Sequence, residues 1–370
     1  MPDLFDPLTL RGVTLRNRIG LPPLCQYVAR DGLANDWHLV HLGARAVGGA
    51  GLVIIEATGV EPRGRITPGC LGLWCDAQIE PLARINRFLA GHGAVPAIQL
   101  AHAGRKASAT PPWQGDRTLA PEDGGWETVG PSPIAFDGSG GALHHVPREM
   151  TLDDIATVRQ AFADAARRAD AAGFELLELH AAHGYLLHSF LSPLTNRRGD
   201  AYGGGFDNRV RFTLETVRAL RAAWPEKKPL AVRLSTVDWA PGGWTLDDSV
   251  VLARRLKDEG VDLIDCSTGA IVPDEQYEEG PSWQVPMAAR IRRETGVATA
   301  AVGCIVEPRQ ADAIVRNADA DLVLVGTEMM RDPAWPFHAA ETLGALARLR
   351  MPPSYDYVIR PGYDAEPPPS

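Results

Sequence analysis

The sequence predicts a single α/β domain built as a (β/α)8 TIM barrel. Three observations carry the prediction. Eight short apolar runs recur along the chain, at residues 19–24, 51–57, 95–100, 174–179, 230–234, 263–266, 298–302 and 321–325, each with the length of a buried strand. Amphipathic stretches lie between most of them, including 151–172, 208–223, 246–259 and 285–295, so the runs read as parallel strands joined by crossover helices. The C-terminal ends of the runs are polar or reactive, and that is the face on which this fold gathers its site. A doubly wound open sheet is the competing reading, but no Gly-x-Gly-x-x-Gly follows an early run.

In chain order, the first run leads to Cys25-Gln26-Tyr27 and the second to Ala57-Thr58. The third carries Gln99 within an otherwise apolar strand and is followed by His102 and Arg105-Lys106. The stretch 103–149 is rich in Gly, Pro, Trp and Asp and lacks helical period. It is too long for a plain connection, so it reads as a loop insertion over the barrel mouth containing a β-hairpin. The helix at 151–172 opens on Thr151 with acids at Asp153 and Asp154, an N-terminal capping signature. The fourth run follows Ala172-Gly173 and gives out at His180-Ala-Ala-His183-Gly-Tyr185, which places two imidazoles and a phenol on an expected loop. The fifth run holds Arg233, which like Gln99 needs a buried partner. The sixth ends at Ser267. The seventh and eighth end at Gly303 and Gly326-Thr327, each before a helical stretch. Glycine there lets backbone amides approach a phosphate at a recurrent phosphate site of this fold. Residues 1–350 thus form one barrel, and 351–370, proline-rich at its end, form a tail.

Composition excludes several classes. With 370 residues, 45% of them hydrophobic and 22% charged, the chain can build a large core. No apolar stretch approaches the roughly 20 residues of a membrane span. Met1-Pro-Asp-Leu-Phe lacks the features of a signal peptide, so a cytoplasmic protein is expected. Lysine plus arginine at 37 against aspartate plus glutamate at 46 gives a net charge of -9, which argues against nucleic acid as a partner. Five cysteines without a Cys-x-x-Cys pair suggest neither a disulfide framework nor a cysteine metal site.

On the residues alone, the histidine pair stays open to two readings. It can face an organic ligand, or His180 and His183 can be ligands in a metal-dependent TIM-barrel hydrolase with Asp200 or Glu178 as a third. The metal reading leaves Gln99, Arg233 and the two glycine ends without a purpose.

A set of ordered motifs extends the reading: Leu4-Phe5-Asp6-Pro7-Leu8, Pro23-Leu24-Cys25-Gln26-Tyr27, Gly64-Arg65-Ile66-Thr67, and Gln99-Leu100-Ala101-His102-Ala103-Gly104-Arg105-Lys106. His180-Ala-Ala-His183-Gly-Tyr185-Leu, Asp262-Leu-Ile-Asp265-Cys266-Ser267 and Arg331-Asp332-Pro333 continue it. Nearly end to end, the chain resembles the old yellow enzymes, FMN-dependent ene-reductases, in the bacterial branch with a cysteine near the flavin. The resemblance implies a noncovalent FMN reduced by NADPH or NADH, and an activated alkene as the small-molecule substrate reduced by ping-pong kinetics. It implies no metal. Gln99 and Arg233 would bond the pyrimidine edge of the flavin, Pro23, Leu24 and Ala57 would line its ring, and Cys25 would adjust its potential. The amides of Gly303, Gly326 and Thr327 would hold the phosphate. His180 and His183 would bind the substrate oxygen and Tyr185 would donate a proton, with Tyr27 and Lys106 contacting substrate. A homodimer or homotetramer is implied, with Arg360 of the tail reaching a neighbouring site. The chain departs from the pattern at Thr327, where many relatives have an arginine, and at Val358, where they have a tyrosine.

Overall fold

The computed structural model describes residues 1–136 and 144–359. Eight parallel strands close a barrel: β1 (Ile19–Leu21), β2 (Leu52–Gly59), β3 (Val95–Ala101), β4 (Leu176–Ala181), β5 (Leu230–Ser235), β6 (Leu263–Ser267), β7 (Ala298–Ala301) and β8 (Leu322–Leu324). Each pairs with the next, and β8 pairs with β1 through Val323 opposite Ile19. These are the predicted runs with small shifts at their ends.

Helices Asp36–Val47, Ile79–Gly91, Leu152–Ala171, Arg211–Ala223, Leu246–Asp258, Val285–Thr295, Pro308–Arg316 and Trp335–Thr342 surround the strands. The helix after β3 shows why these sequences fold as they do. The Thr151 hydroxyl accepts from the Asp154 amide while the Asp154 carboxylate accepts from the Thr151 amide, and Ile155, Val158, Phe162, Ala166 and Ala169 bury one face. The helix expected over 208–223 is broken at Val210, between Phe206–Arg209 and Arg211–Ala223. The tail is not purely irregular: Pro353–Ile359 is a helix, whose Tyr355 and Ile359 help line a groove with Leu39, Val40 and Phe337. Arg360 lies outside the described residues.

The interior is layered. An antiparallel hairpin, Leu8–Leu10 with Val13–Leu15, closes the N-terminal end of the barrel, and its four buried apolar side chains pack on Leu52, Ala97, Leu176, Ala231, Leu263 and Leu322. Successive strand residues point to opposite faces, so steps of two from this floor give the next interior layers. The second is polar across four adjacent strands: Gln99, Glu178, Arg233 and Asp265. The third is His180, Ser235 and Ser267, at the mouth.

The insertion after β3 crosses that mouth. Among its described residues the insertion shows one antiparallel bridge, Ala109 with Thr118, on either side of a proline-led turn at Pro112–Gln114; residues 137–143 lie outside the described residues. Its two-residue strands Val129–Gly130 and Arg148–Glu149 pair in parallel. Prolines at 111, 112, 121, 131 and 133 remove backbone donors that a longer hairpin ladder would need.

Candidate active site

His180 belongs to β4 itself, not to the loop after it, and faces inward because it shares the phase of Leu176 and Glu178. The chain then reverses at His183 and Gly184, with φ of 58° and 71°, a left-handed pair that histidine tolerates and glycine favours. The reversal brings three rings together. The His180 ring centroid is 5.1 Å from that of His183 and 5.0 Å from that of Tyr185, both nearly perpendicular. A support under this turn had no sequence signal beyond a histidine in an apolar helix. His188 accepts from the Gly184 amide at 2.9 Å through Nδ1 and meets Asp238 at 2.8 Å through Nε2, while Asp238 also accepts from Ser192 and the Trp244 amide.

Protonation follows from this geometry. The Ala182 amide donates to His180 Nδ1 at 3.2 Å, so that nitrogen is an acceptor and the neutral ring carries its proton on Nε2. Burial, with Arg233 nearby, holds both imidazoles well below the usual histidine range, so they stay uncharged. His183 Nε2 lies 2.7 Å from the Ser267 hydroxyl, and its backbone amide donates to Ser235. Burial pushes the phenols of Tyr185 and Tyr27 up, so both remain protonated. Lys106 donates to the carbonyls of His183 at 3.0 Å and Ala270 at 2.5 Å, and burial beside Arg105 lowers its pKa to about 7.

The opposite wall comes from the segment after β1. Cys25 and Tyr27 pack with Cys70, Ile66, Trp126 and Tyr185, and Tyr27 meets Trp113 of the insertion edge to face. Burial and the charge of Glu56 raise the Cys25 thiol, so it is a neutral SH group, not a thiolate. Pro23 and Leu24 are half-buried, Ala57 is buried in β2, and Leu24 reaches toward Gly326. The structure thus gathers His180, His183, Tyr185, Lys106, Tyr27 and Cys25 around one mouth. Gln99 and Arg233 lie one layer down.

The buried partners expected for those two residues are supplied in part by the protein itself. Gln99 Nε2 donates to Glu178 at 2.8 Å, and Arg233 Nε pairs with Asp265 at 3.2 Å. What remains is the amide oxygen of Gln99, for which the described residues offer no donor, and the two Nη groups of Arg233, for which they offer no hydrogen-bond acceptor. At the far side, Gly303 has φ of 105°, and a Cβ there would stand 2.7 Å from Gln284 Nε2. The buried Gln284 Oε1 has no partner among the described residues. After the neighbouring strand β8, Gly326 leads into the short helix Thr327–Arg331. A flat heterocycle with a donor and acceptor edge over Gln99 and Arg233, and an anionic end at Gly303 and Gly326, fits this arrangement.

A metal does not fit as well. Among the described residues no group of three or more His, Cys, Asp or Glu could hold an ion, and one nitrogen of His180 is taken by a backbone amide. No helix among the described residues is long and apolar enough to cross a membrane.

A profile of the NADH:flavin oxidoreductase / NADH oxidase family matches residues 3–345. The chain belongs to that family. This flavin oxidoreductase is 45% identical over 355 residues to an NADPH dehydrogenase of Geobacillus thermodenitrificans, covering 95% of this chain and 97% of that protein. It is 42% identical over 363 residues to an NADH:flavin oxidoreductase of Gibberella zeae, covering 94% and 87%. The solved structure of morphinone reductase superposes with a TM-score of 0.77 at 28% identity, over 95% of this chain and 92% of that one. Morphinone reductase has also been solved in complex with tetrahydroNAD. The protein is therefore an NAD(P)H-dependent FMN oxidoreductase of the old yellow enzyme type, which displaces the hydrolase reading of His180 and His183.

Proposed function

We propose that this oxidoreductase reduces the C=C bond of alkenes activated by a carbonyl or nitro group, such as enones, enals, maleimides and nitroalkenes. The observation that carries the reading is the convergence of two uncharged imidazoles with a protonated phenol at the mouth of the barrel. When bound, FMN supplies the hydride, having taken it from NADPH or NADH. His180 offers its Nε2 proton to the activating oxygen. In this reading the Ser267 hydroxyl, 2.7 Å from His183 Nε2, is the donor of that pair, and the His183 proton sits on Nδ1 as the second donor. Together they stabilise the negative charge that grows on the oxygen as the β-carbon is reduced. Tyr185 then gives its proton to the α-carbon, a role suited to an acid that stays protonated at neutral pH.

Other residues hold the cofactor and substrate. Gln99 accepts from, and Arg233 donates to, the pyrimidine edge of FMN, with Pro23, Leu24, Cys25 and Ala57 along its ring. Gly303, Gly326 and Thr327 present amides to the phosphate, with Gln284 beside them. Tyr27 and Lys106 bind substrate from either side. Nicotinamide and alkene share one mouth, so the coenzyme leaves before the alkene enters and the kinetics are ping-pong.

Anaerobic titration tests the proposal. NADPH or NADH should bleach the yellow protein, and cyclohexenone or a nitroalkene should restore its colour. Tyr185→Phe should bleach normally and reoxidise about 10²- to 10⁴-fold more slowly with enones. A protein that is bleached by nicotinamide yet recovers with none of these alkenes would refute it.

A further inference from the structure

The polar layer beneath the site contains more acid than its single cation can neutralise. Glu178 and Asp265 are fully buried, and Arg233 is the cation between them. Their floor is apolar, formed by Ala97, Leu176, Ala231 and Leu263. Two carboxylates and one guanidinium would leave a net negative charge in that interior, at a cost of several kcal/mol. Three oxygens mark where the difficulty lies: Glu178 Oε2 and both oxygens of Asp265 have no hydrogen-bond partner among the described residues. A proton on Glu178 Oε2 resolves the excess charge and gives Oε2 a donor role toward Asp265. Asp265, closer to the guanidinium, keeps its charge.

We propose that Glu178 and Asp265 are positioning residues that share one proton and orient the two groups facing the cofactor. Glu178 Oε1 accepts from Gln99 Nε2, which turns the Gln99 carbonyl upward as an acceptor. Asp265 faces Arg233 Nε as an ion pair at 3.2 Å without hydrogen-bond alignment, and the two Nη groups remain as donors. The inference rests on the proposed placement of FMN over Gln99 and Arg233. Burial raises the pKa of both acids; the charge of Asp265 raises Glu178 further, while Arg233 and the hydrogen bond from Glu178 pull Asp265 back down, in keeping with a proton retained on Glu178. The groups acting on the pair are few. Arg233 comes from β5, Gln99 from β3 is neutral, and His180 in the layer above is uncharged. Strands β1, β2, β7 and β8 give the interior Gly20, Ile54, Ala300 and Leu324, none of which titrates.

Loss of the shared proton at alkaline pH would leave the layer with a net negative charge under the flavin and free the Gln99 amide to turn. FMN affinity should therefore weaken as pH rises. The test uses full-length apoprotein titrated with FMN by fluorescence quenching between pH 6 and 9.5, alongside infrared difference spectra of the apoprotein over the same range. Wild type should lose about tenfold or more in affinity and show the carbonyl band of a protonated carboxyl that disappears at high pH. Glu178→Gln, which imitates the protonated acid, should keep the neutral-pH affinity, flatten the pH profile and lack the band. Asp265→Asn should also flatten the profile, because one carboxylate with Arg233 needs no extra proton. A wild-type affinity independent of pH, or no protonated-carboxyl band, overturns the proposal. If FMN does not bind wild type at any pH, the flavin placement fails instead, and the infrared band alone decides whether the acids share a proton.

Discussion

The hydroxyl of Ser267 should set which nitrogen of His183 carries the proton, and Ser267→Ala isolates that effect. The residue is buried at the end of β6, and its Oγ contacts His183 Nε2 at 2.7 Å. Removing the hydroxyl deletes one neutral hydrogen bond, worth about 0.5–1.5 kcal/mol net. At about 1.36 kcal/mol per decade this is a loss of about 2- to 13-fold in the population, and hence the rate, of the competent ring. His183 stays uncharged, since its burial is unchanged, so the loss should not vary between pH 6 and 8. The assay is stopped-flow reoxidation of dithionite-reduced enzyme by cyclohexenone, which bypasses the nicotinamide. An unchanged rate would show that Ser267 does not select the tautomer. A loss of about 10²- to 10³-fold, the size seen when an oxyanion donor is removed outright, would show that Ser267 meets the substrate itself.

Three further outcomes are expected. Lys106→Met should remove a pH dependence of stability: the wild-type amine has a pKa of about 7 folded and the ordinary 10.5 unfolded, so unfolding takes up a proton in that window. Wild type therefore gains stability relative to the variant as pH rises from about 7 to 10, and urea melts at pH 7.5 and 9.5 would read the difference. Gly303→Ala forces a left-handed backbone on alanine and a Cβ against Gln284, so it should destabilise that loop by about 1–3 kcal/mol and shed FMN on gel filtration. Leu15→Ala, at the buried hairpin floor, should cost about 2–5 kcal/mol in urea unfolding while leaving the bleaching rate at 25 °C nearly intact.

The barrel was readable because its strands are short apolar runs with abrupt polar ends, and the eight expected runs coincide with β1 to β8. The N-terminal hairpin escaped because three-residue strands such as Leu8–Leu10 alternate too briefly to stand out. Gln99, Arg233 and the histidine cluster were visible as polar residues in or after apolar runs. Glu178 and Asp265 carried the same signal, in Leu177-Glu178-Leu179 and Ile264-Asp265-Cys266, but their meaning depends on cross-strand phase. Phase between strands is set by the stagger of the closed sheet, which no single segment encodes. The support from Asp238 to His188 bridges 50 positions and was equally hidden.

The two-residue rhythm of the interior has a consequence for what mutation can change. In β4, Leu176, Glu178 and His180 are three rungs of one ladder: the floor, the proposed proton pair and the proposed substrate contact. Insertion of a single residue below Glu178 would turn both polar groups outward among the helices and swing Leu177 and Leu179 inward. Such a change would remove the proposed flavin support and the proposed oxygen site in one step while leaving Leu176 in the floor. The loop crossing the mouth can lengthen or shorten without touching that ladder. Variation in what this enzyme reduces is therefore confined to the rim, while the spacing inside the strands behaves as a combination that cannot be altered one digit at a time.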